Sequence, residues 1–299
     1  MNKIVKKSIS LMIILTIFIF IMNKIVKKSI SLMIILTIFI FMLTACEKDE
    51  QPDSVDIQTE DKNEIKIDEG NAKVLNIGKS EIINIDEGDK VDTSTKVENN
   101  STFNISNVEL IYNEYDENKK IISSDSKALL DMTLMPGKVA YIECGHKTFV
   151  KGVEVYAYEY EAEGKIVYVN LKENTINIRN NNIKLENSSQ YEVLSTSELK
   201  KVNESNEGIT YQVKVKNSSS KDLGNIILKT AEVNENGEYL TVNRVPSYKI
   251  LKPSEETDID ILCSTKAKSV EIVGYTYDDI KEKANVDIDL KSHKVKIDK

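Results

Sequence analysis

Polar and apolar residues change places at every second position along much of this 299-residue chain. Val91, Thr93, Thr95 and Val97 lie on one side of such an alternation, with Asp92, Ser94 and Lys96 on the other; Ile209, Tyr211, Val213 and Val215 repeat it further on. A period of two is what a strand with one buried face requires, because successive side chains point to opposite faces of a sheet. Ala140, Ile142 and Cys144 form a third row, and Ile259, Ile261 and Cys263 a fourth. Turn-forming residues recur about every 8 to 12 positions and no stretch of helical length shows a 3.6-residue period, which predicts a sandwich of antiparallel sheets. Asn236-Gly237, between TAEV and EYL, predicts a hairpin with a type I′ turn, in which both central residues take positive φ. Its counterpart Asn118-Lys119 keeps the Asn and loses the Gly.

The elements occur twice in the same order. TSTKVENNSTFNISNVELIYNEYDENKKI (93–121) lies over YQVKVKNSSSKDLGNIILKTAEVNENGEY (211–239), with K-V-x-N and N-x-x-L in register. LMPG (134–137) answers LKPS (251–254), GVEVYAYEY (152–160) answers SVEIVGYTY (269–277), and YVNLKENTINI answers DIDLKSHKVKI. Self-similarity over about a hundred residues marks a duplicated folding unit. The expectation is an all-β chain of two tandem immunoglobulin-like β-sandwich domains, residues 74–180 and 187–299. The order of strand, N-N/S-S, strand ending in Tyr115-Asp116, then L-x-P-G resembles FxLYD-type and related immunoglobulin-like domains on the outside of Gram-positive bacteria. The first repeat keeps only the terminal Tyr-Asp of that motif, and the second has Val233-Asn234 there. The resemblance implies an extracytoplasmic binding or spacer module, and it carries over no catalytic residue.

The start of the chain changes the picture. MNKIVKKSISLMIILTIFIF (1–20) recurs unchanged as 22–41, each copy a cationic head followed by an apolar run. Such a run suits the core of an export signal and is short of the roughly 20 residues a spanning helix needs. Leu43-Thr44-Ala45-Cys46 resembles the lipobox of bacterial lipoproteins. That resemblance implies a signal peptide over 1–45, with 1–21 a redundant copy, and a lipid anchor on Cys46 holding the chain to the outer face of the cell membrane. A membrane hairpin instead would carry Lys24, Lys27 and Lys28 across the bilayer, against the positive-inside tendency. Residues 46–73 are rich in acids and poor in large apolar side chains, and are expected to form a disordered tether, with an edge strand in EIKID as the alternative. The chain carries a net charge of −8, and because its first 45 residues hold six lysines and no acid, the remainder stands at −14. A nucleic-acid partner, which needs a basic face, is excluded.

Candidate chemistry is sparse. Cys144 and Cys263 continue apolar rows, as buried thiols acting as small hydrophobes would. Cys144-Gly145-His146 raises a nucleophile reading, but the second repeat has Thr265 in place of the histidine, and a solvent-exposed loop histidine is expected. His293 stands apart, so no zinc or other metal site and no cofactor is expected. Acid-rich turns such as Tyr115-Asp116-Glu117-Asn118 lack the spacing of a calcium loop. Tyrosines give the one candidate surface: Tyr156, Tyr158 and Tyr160 share a strand face, and Tyr275 and Tyr277 answer the last two. Packing in the core explains the repetition; an exposed row would stack on sugar rings or hold a protein. The function expected is a non-enzymatic binding or spacer module facing an extracellular protein or cell-wall component. The alternatives are a glycan-binding or adhesin-like protein and a cysteine-dependent enzyme.

Overall fold

The computed structural model describes residues 65–85, 90–147, 149–183 and 185–299; both signal-like copies, Cys46 and the first part of the acidic stretch lie outside the described residues. The first repeat contributes β1 (Leu75–Ile85), β2 (Lys90–Asn99), β3 (Ser106–Tyr115), β4 (Ile121–Leu130), β5 (Val139–Lys147), β6 (Gly152–Ala162), β7 (Lys165–Asn170) and β8 (Thr175–Asn180). After β9 (Glu186–Asn187) and a 3-10 turn (Ser188–Gln190), the second repeat contributes β10 (Leu194–Thr196), β11 (Lys200–Ser205), β12 (Gly208–Asn217), β13 (Leu223–Val233), β14 (Tyr239–Ser247), β15 (Glu256–Cys263), β16 (Ser269–Asp279), β17 (Ala284–Asp289) and β18 (Lys294–Asp298). The fold is an all-β sandwich, and no described helix is long and apolar enough to cross a membrane.

Both repeats follow one plan. In the first, the sheet β4-β3-β6-β7-β8 covers the layer β1-β2-β5; in the second, β14-β13-β16-β17-β18 covers β12 with β15 on one edge and β10 and β11 on the other. The split pair β10 and β11 stands where the first repeat has the single strand β1, Leu194 facing Asn217 as Leu75 faces Asn99. The alternating rows face inward as the period of two requires: Val91, Thr93, Thr95 and Val97 are buried on β2, and Val213 and Val215 on β12. Ala140, Ile142 and Cys144 meet Leu110, Tyr158 and Val167 from the facing sheet, and Ile259, Ile261 and Cys263 likewise meet Leu228, Tyr275 and Ile288.

The junction between the repeats was not visible as a pattern. β5 and β14 meet in parallel at Ala140 and Tyr239, so one layer of the first repeat and one of the second form a single nine-stranded sheet. The face of β13 opposite Leu228 carries Ala231 and Val233, and a bulge in β16 turns Val273 the same way, so these three and Tyr239 join the first repeat's core rather than the second's. Lys229 is buried there, its Nζ 2.9 Å from carboxylate oxygens of both Asp131 and Asp287, while Arg244 Nε donates to Asp131 at 2.6 Å. The Thr133 backbone N–H donates to Asp289 across the same seam at 3.0 Å.

Two local expectations are corrected. The β13–β14 turn is not type I′: at the tip only Gly237 takes positive φ (76°), its N–H closing a turn on Asn234 O, and Asn234 Oδ1 accepts from the Asn236 and Glu238 N–H groups. A side chain that satisfies two backbone donors favours this longer loop with one left-handed residue over the two-residue turn. Asp116 does the same in the first repeat for Asn118 and Lys120, with Lys119 at φ 61° where the second repeat has Gly237. Secondly, the expected tether extends too far. Ile67 and Ala72 are buried in the first repeat's core, because Asp68 and Asn71 close a hydrogen-bonded turn that brings them back to it.

Candidate functional site

Four of the five candidate tyrosines belong to the core, so they do not form the exposed row that a stacking surface would need. Tyr158, Tyr160, Tyr275 and Tyr277 are all under 5% exposed, because β6 and β16 turn these faces toward the opposite layer. The rings pair along each strand, with centroids 6.2 Å apart for Tyr158–Tyr160 and 6.3 Å for Tyr275–Tyr277. The hydroxyls of Tyr160 and Tyr277 reach equivalent backbone groups, donating to Ala72 O at 2.9 Å and to Tyr191 O at 3.2 Å. Burial raises every one of these phenols above its ordinary range, Tyr275 to about 12. Tyr156 is half-buried and donates to Ser124 O at 3.0 Å.

His146 is also corrected. It is 3% exposed at the end of β5, not on a solvent-facing loop. Nδ1 lies 2.7 Å from Glu114 Oε1 and Nε2 lies 3.0 Å from Thr93 Oγ1, so both nitrogens are engaged away from Cys144. The Cys144 thiol points to Lys127 O at 3.8 Å, and burial, helped by the Glu114 charge, pushes it up to about 11. A nucleophile needs the opposite, a thiol held down by a base or a cation. Cys263 is pushed further, to about 12, again chiefly by burial. Glu114, which sequence reasoning missed, has a partner in register: Glu232 is buried at the same place on β13 and accepts from Ser264 N at 3.0 Å and Ser264 Oγ at 2.6 Å. Each repeat thus uses one buried glutamate to tie the end of the opposite layer, to His146 in one case and to Ser264 in the other. Aligning IYNEY with KTAEV was the available signal.

The repeated N-x-S loop is likewise structural. Asn99 donates to Phe103 O and Leu134 O, both at 2.9 Å, and accepts from Ser101 N and Oγ; Asn217 donates to Lys221 O (2.7 Å) and Leu251 O (2.9 Å), and accepts from Ser219 N and Oγ. Among the described residues no group of three or more His, Cys, Asp or Glu side chains is arranged to hold a metal ion.

What remains open is a cleft of about 540 Å3 at one end of the second repeat. Tyr191, Leu223, Tyr277, Val286 and Ile297 make its apolar wall, and Lys221, Lys299, Asp279 and Glu282 stand around its rim. Lys221 Nζ donates to Asp279 at 2.5 Å. Burial alone would raise the Asp279 carboxyl, but Lys221 and the Glu282 N–H outweigh it and hold the group below its ordinary value. Tyr277, one of the candidate tyrosines, therefore serves this cleft as wall rather than as platform. A wider depression of about 740 Å3 crosses the junction of the repeats, where Lys96 and Tyr141 both donate to Glu238, at 2.6 and 3.1 Å.

No protein-family model and no curated protein matches the chain. Among solved structures it is similar to the crystal structure of red sea bream transglutaminase, at 12% identity and a TM-score of 0.20. That match covers 68% of this chain and 28% of the other, so the chain spans little more than a quarter of that protein's length.

Proposed function

We propose that the chain is a lipid-anchored, extracytoplasmic, non-enzymatic protein that holds a stiff pair of β-sandwich repeats away from the membrane as a binding module. The observation that carries the binding-module reading is the sealed junction, in which Ala231, Val233, Tyr239 and Val273 of the second repeat pack into the core of the first. A jointed spacer has no need of such a seam, whereas a module that presents a surface at a fixed angle does. The engaged nitrogens of His146 and the raised thiol of Cys144 support the non-enzymatic side. The anchor rests on Leu43-Thr44-Ala45-Cys46 and its resemblance to a lipobox.

Two measurements test this reading. Metabolic labelling with a fatty acid should tag the wild-type chain and lose the tag in Cys46→Ala; equal labelling of both would remove the anchor. In the folded protein Cys144 should resist a thiol reagent at pH 8, and rapid stoichiometric modification with the fold intact would reopen the cysteine-enzyme alternative.

A further inference from the structure

The two repeats act as each other's control, and they differ at the cleft. Asn99 and Asn217 hold the same loop in the same way, so Phe103, whose carbonyl accepts from Asn99, stands where Lys221 stands under Asn217. Phe103 is buried in the first repeat's core. Ala72 and Tyr191 correspond as the acceptors of Tyr160 and Tyr277, so Ile67, five residues before Ala72, answers Glu186, five before Tyr191. Ile67 is buried as well. The second repeat has therefore exchanged two core side chains for charged ones; of these Lys221 lines the cleft, swinging to its rim to pair with Asp279. The rest of the wall is kept apolar: Tyr277, Val286 and Ile297 answer Tyr160, Val167 and Ile178.

We propose that this cleft is a binding site for an aromatic or branched apolar side chain of a peptide, which completes the second repeat as Phe103 completes the first. The volume falls within the range of small-ligand sites, roughly 300 to 1,000 Å3. The rim sets two amines, Lys221 and Lys299, against two carboxylates, Asp279 and Glu282, so it offers no net attraction to a charged ligand and leaves selection to the apolar wall. Gln190, Ser219 and Ser220 at the mouth supply partners for the peptide's backbone amides. Peptide is favoured over sugar because the equivalent position in the first repeat is filled by a peptide side chain, that of Phe103, packed in the core. The inference rests on the binding-module reading and specifies its ligand; it does not depend on the lipid anchor.

The test uses the full-length chain in lipid nanodiscs, methyl-labelled at Ile, Leu and Val and titrated with N-acetyl-phenylalanine amide. Leu223, Val286 and Ile297 methyl signals should shift with a dissociation constant on the order of 1 mM, as expected for a single buried side chain, while Ile105, Val167 and Ile178 in the first repeat stay still. N-acetylglucosamine should shift neither set. Lys221→Phe should abolish the response while the remaining methyls keep their native dispersion, and should raise the thermal midpoint by a few degrees by filling the space. Should Lys221→Phe fold poorly, Lys221→Leu serves the same purpose. Absence of shifts at Leu223, Val286 and Ile297, equal shifts in both repeats, undiminished binding by the filled variant, or a response to the sugar alone would each overturn the proposal. Loss of fatty-acid labelling at Cys46 would bear on the anchor and leave this result as it stands.

Discussion

At the scale of single residues, duplication allows each side chain to be judged against its counterpart. Gly137 and Ser254 occupy the same turn, with their N–H groups donating to Asn99 O and Asn217 O, at φ 69° and 67°. Gly237 and Lys119 form a second such pair, at φ 76° and 61°. A side chain held at positive φ costs about 1 to 2 kcal/mol, and the looser unfolded state of glycine returns about 0.5 to 1. Ser254→Gly and Lys119→Gly should each stabilise the protein by a few tenths to about 1 kcal/mol, read as a higher urea midpoint with unchanged slope. The thiols give a pH signature. Both have folded values raised above an ordinary 9.0, Cys144 to about 11 and Cys263 to about 12, so the unfolded chain releases these protons first. Their contribution is complete below pH 9 and is lost as pH rises through 11 and then 12. The raised tyrosines act in the same direction, but only from their ordinary 10.0 upward. Between pH 9 and 10 the fall in stability should therefore be mostly thiol in origin, and a Cys144→Ala/Cys263→Ala variant should show a flatter slope there than wild type.

At the scale of elements, the strands were legible because a half-buried strand writes its burial into every second residue. Thr93 and Thr95 belonged to that pattern although polar, and they are buried with hydroxyls 3.0 Å from His146 Nε2 and 3.1 Å from the Tyr112 hydroxyl. Loop chemistry was legible only in part. Asn236-Gly237 correctly marked a hairpin, but its geometry is decided by Asn234, whose side chain satisfies two N–H groups that a two-residue turn would not have to serve. The motif residues Asn99 and Asn217 were visible as a repeat, yet their work depends on carbonyls far along the chain, at Leu134 and Leu251, that no local pattern announces. Both asparagines are fully buried, so truncation strands several backbone groups without water. Asn217→Ala should cost about 2 to 4 kcal/mol in chemical denaturation, and Asn217→Asp should be no milder, since an ionised carboxylate cannot donate to Lys221 O and Leu251 O. A loss under about 1 kcal/mol for the alanine variant would mean that the loop is held by something else.

At the scale of the whole molecule, what the sequence concealed is the second face of β13. A period-two reading assigns one face to the core and one to solvent; here Leu228 faces the second repeat's core while Ala231 and Val233, on the alternate face of the same strand, face the first repeat's. Lys229, on the same face as Ala231 and Val233, disguised the seam as an ordinary polar face, and it proves to be buried. The candidate cleft was hidden for a related reason: an exchange of Phe103 for Lys221 looks like loop drift until the loops are seen to be held identically. The shared core has a thermodynamic consequence. Unfolding the first repeat strips cover from Ala231, Val233, Tyr239 and Val273, so the described repeats should melt in one transition with equal calorimetric and van't Hoff enthalpies. Ala231→Glu places a carboxylate where the wild-type residue has no exposed surface, a burial that nothing there compensates. The second repeat's own core, with Leu228, Tyr275 and Ile288, lies on the other face of its sheet and is left intact. The variant should therefore keep its strand content and melt in two transitions instead of one. Two transitions in the wild type, or a single depressed one in the variant, would show that the seam does not couple the repeats in this way.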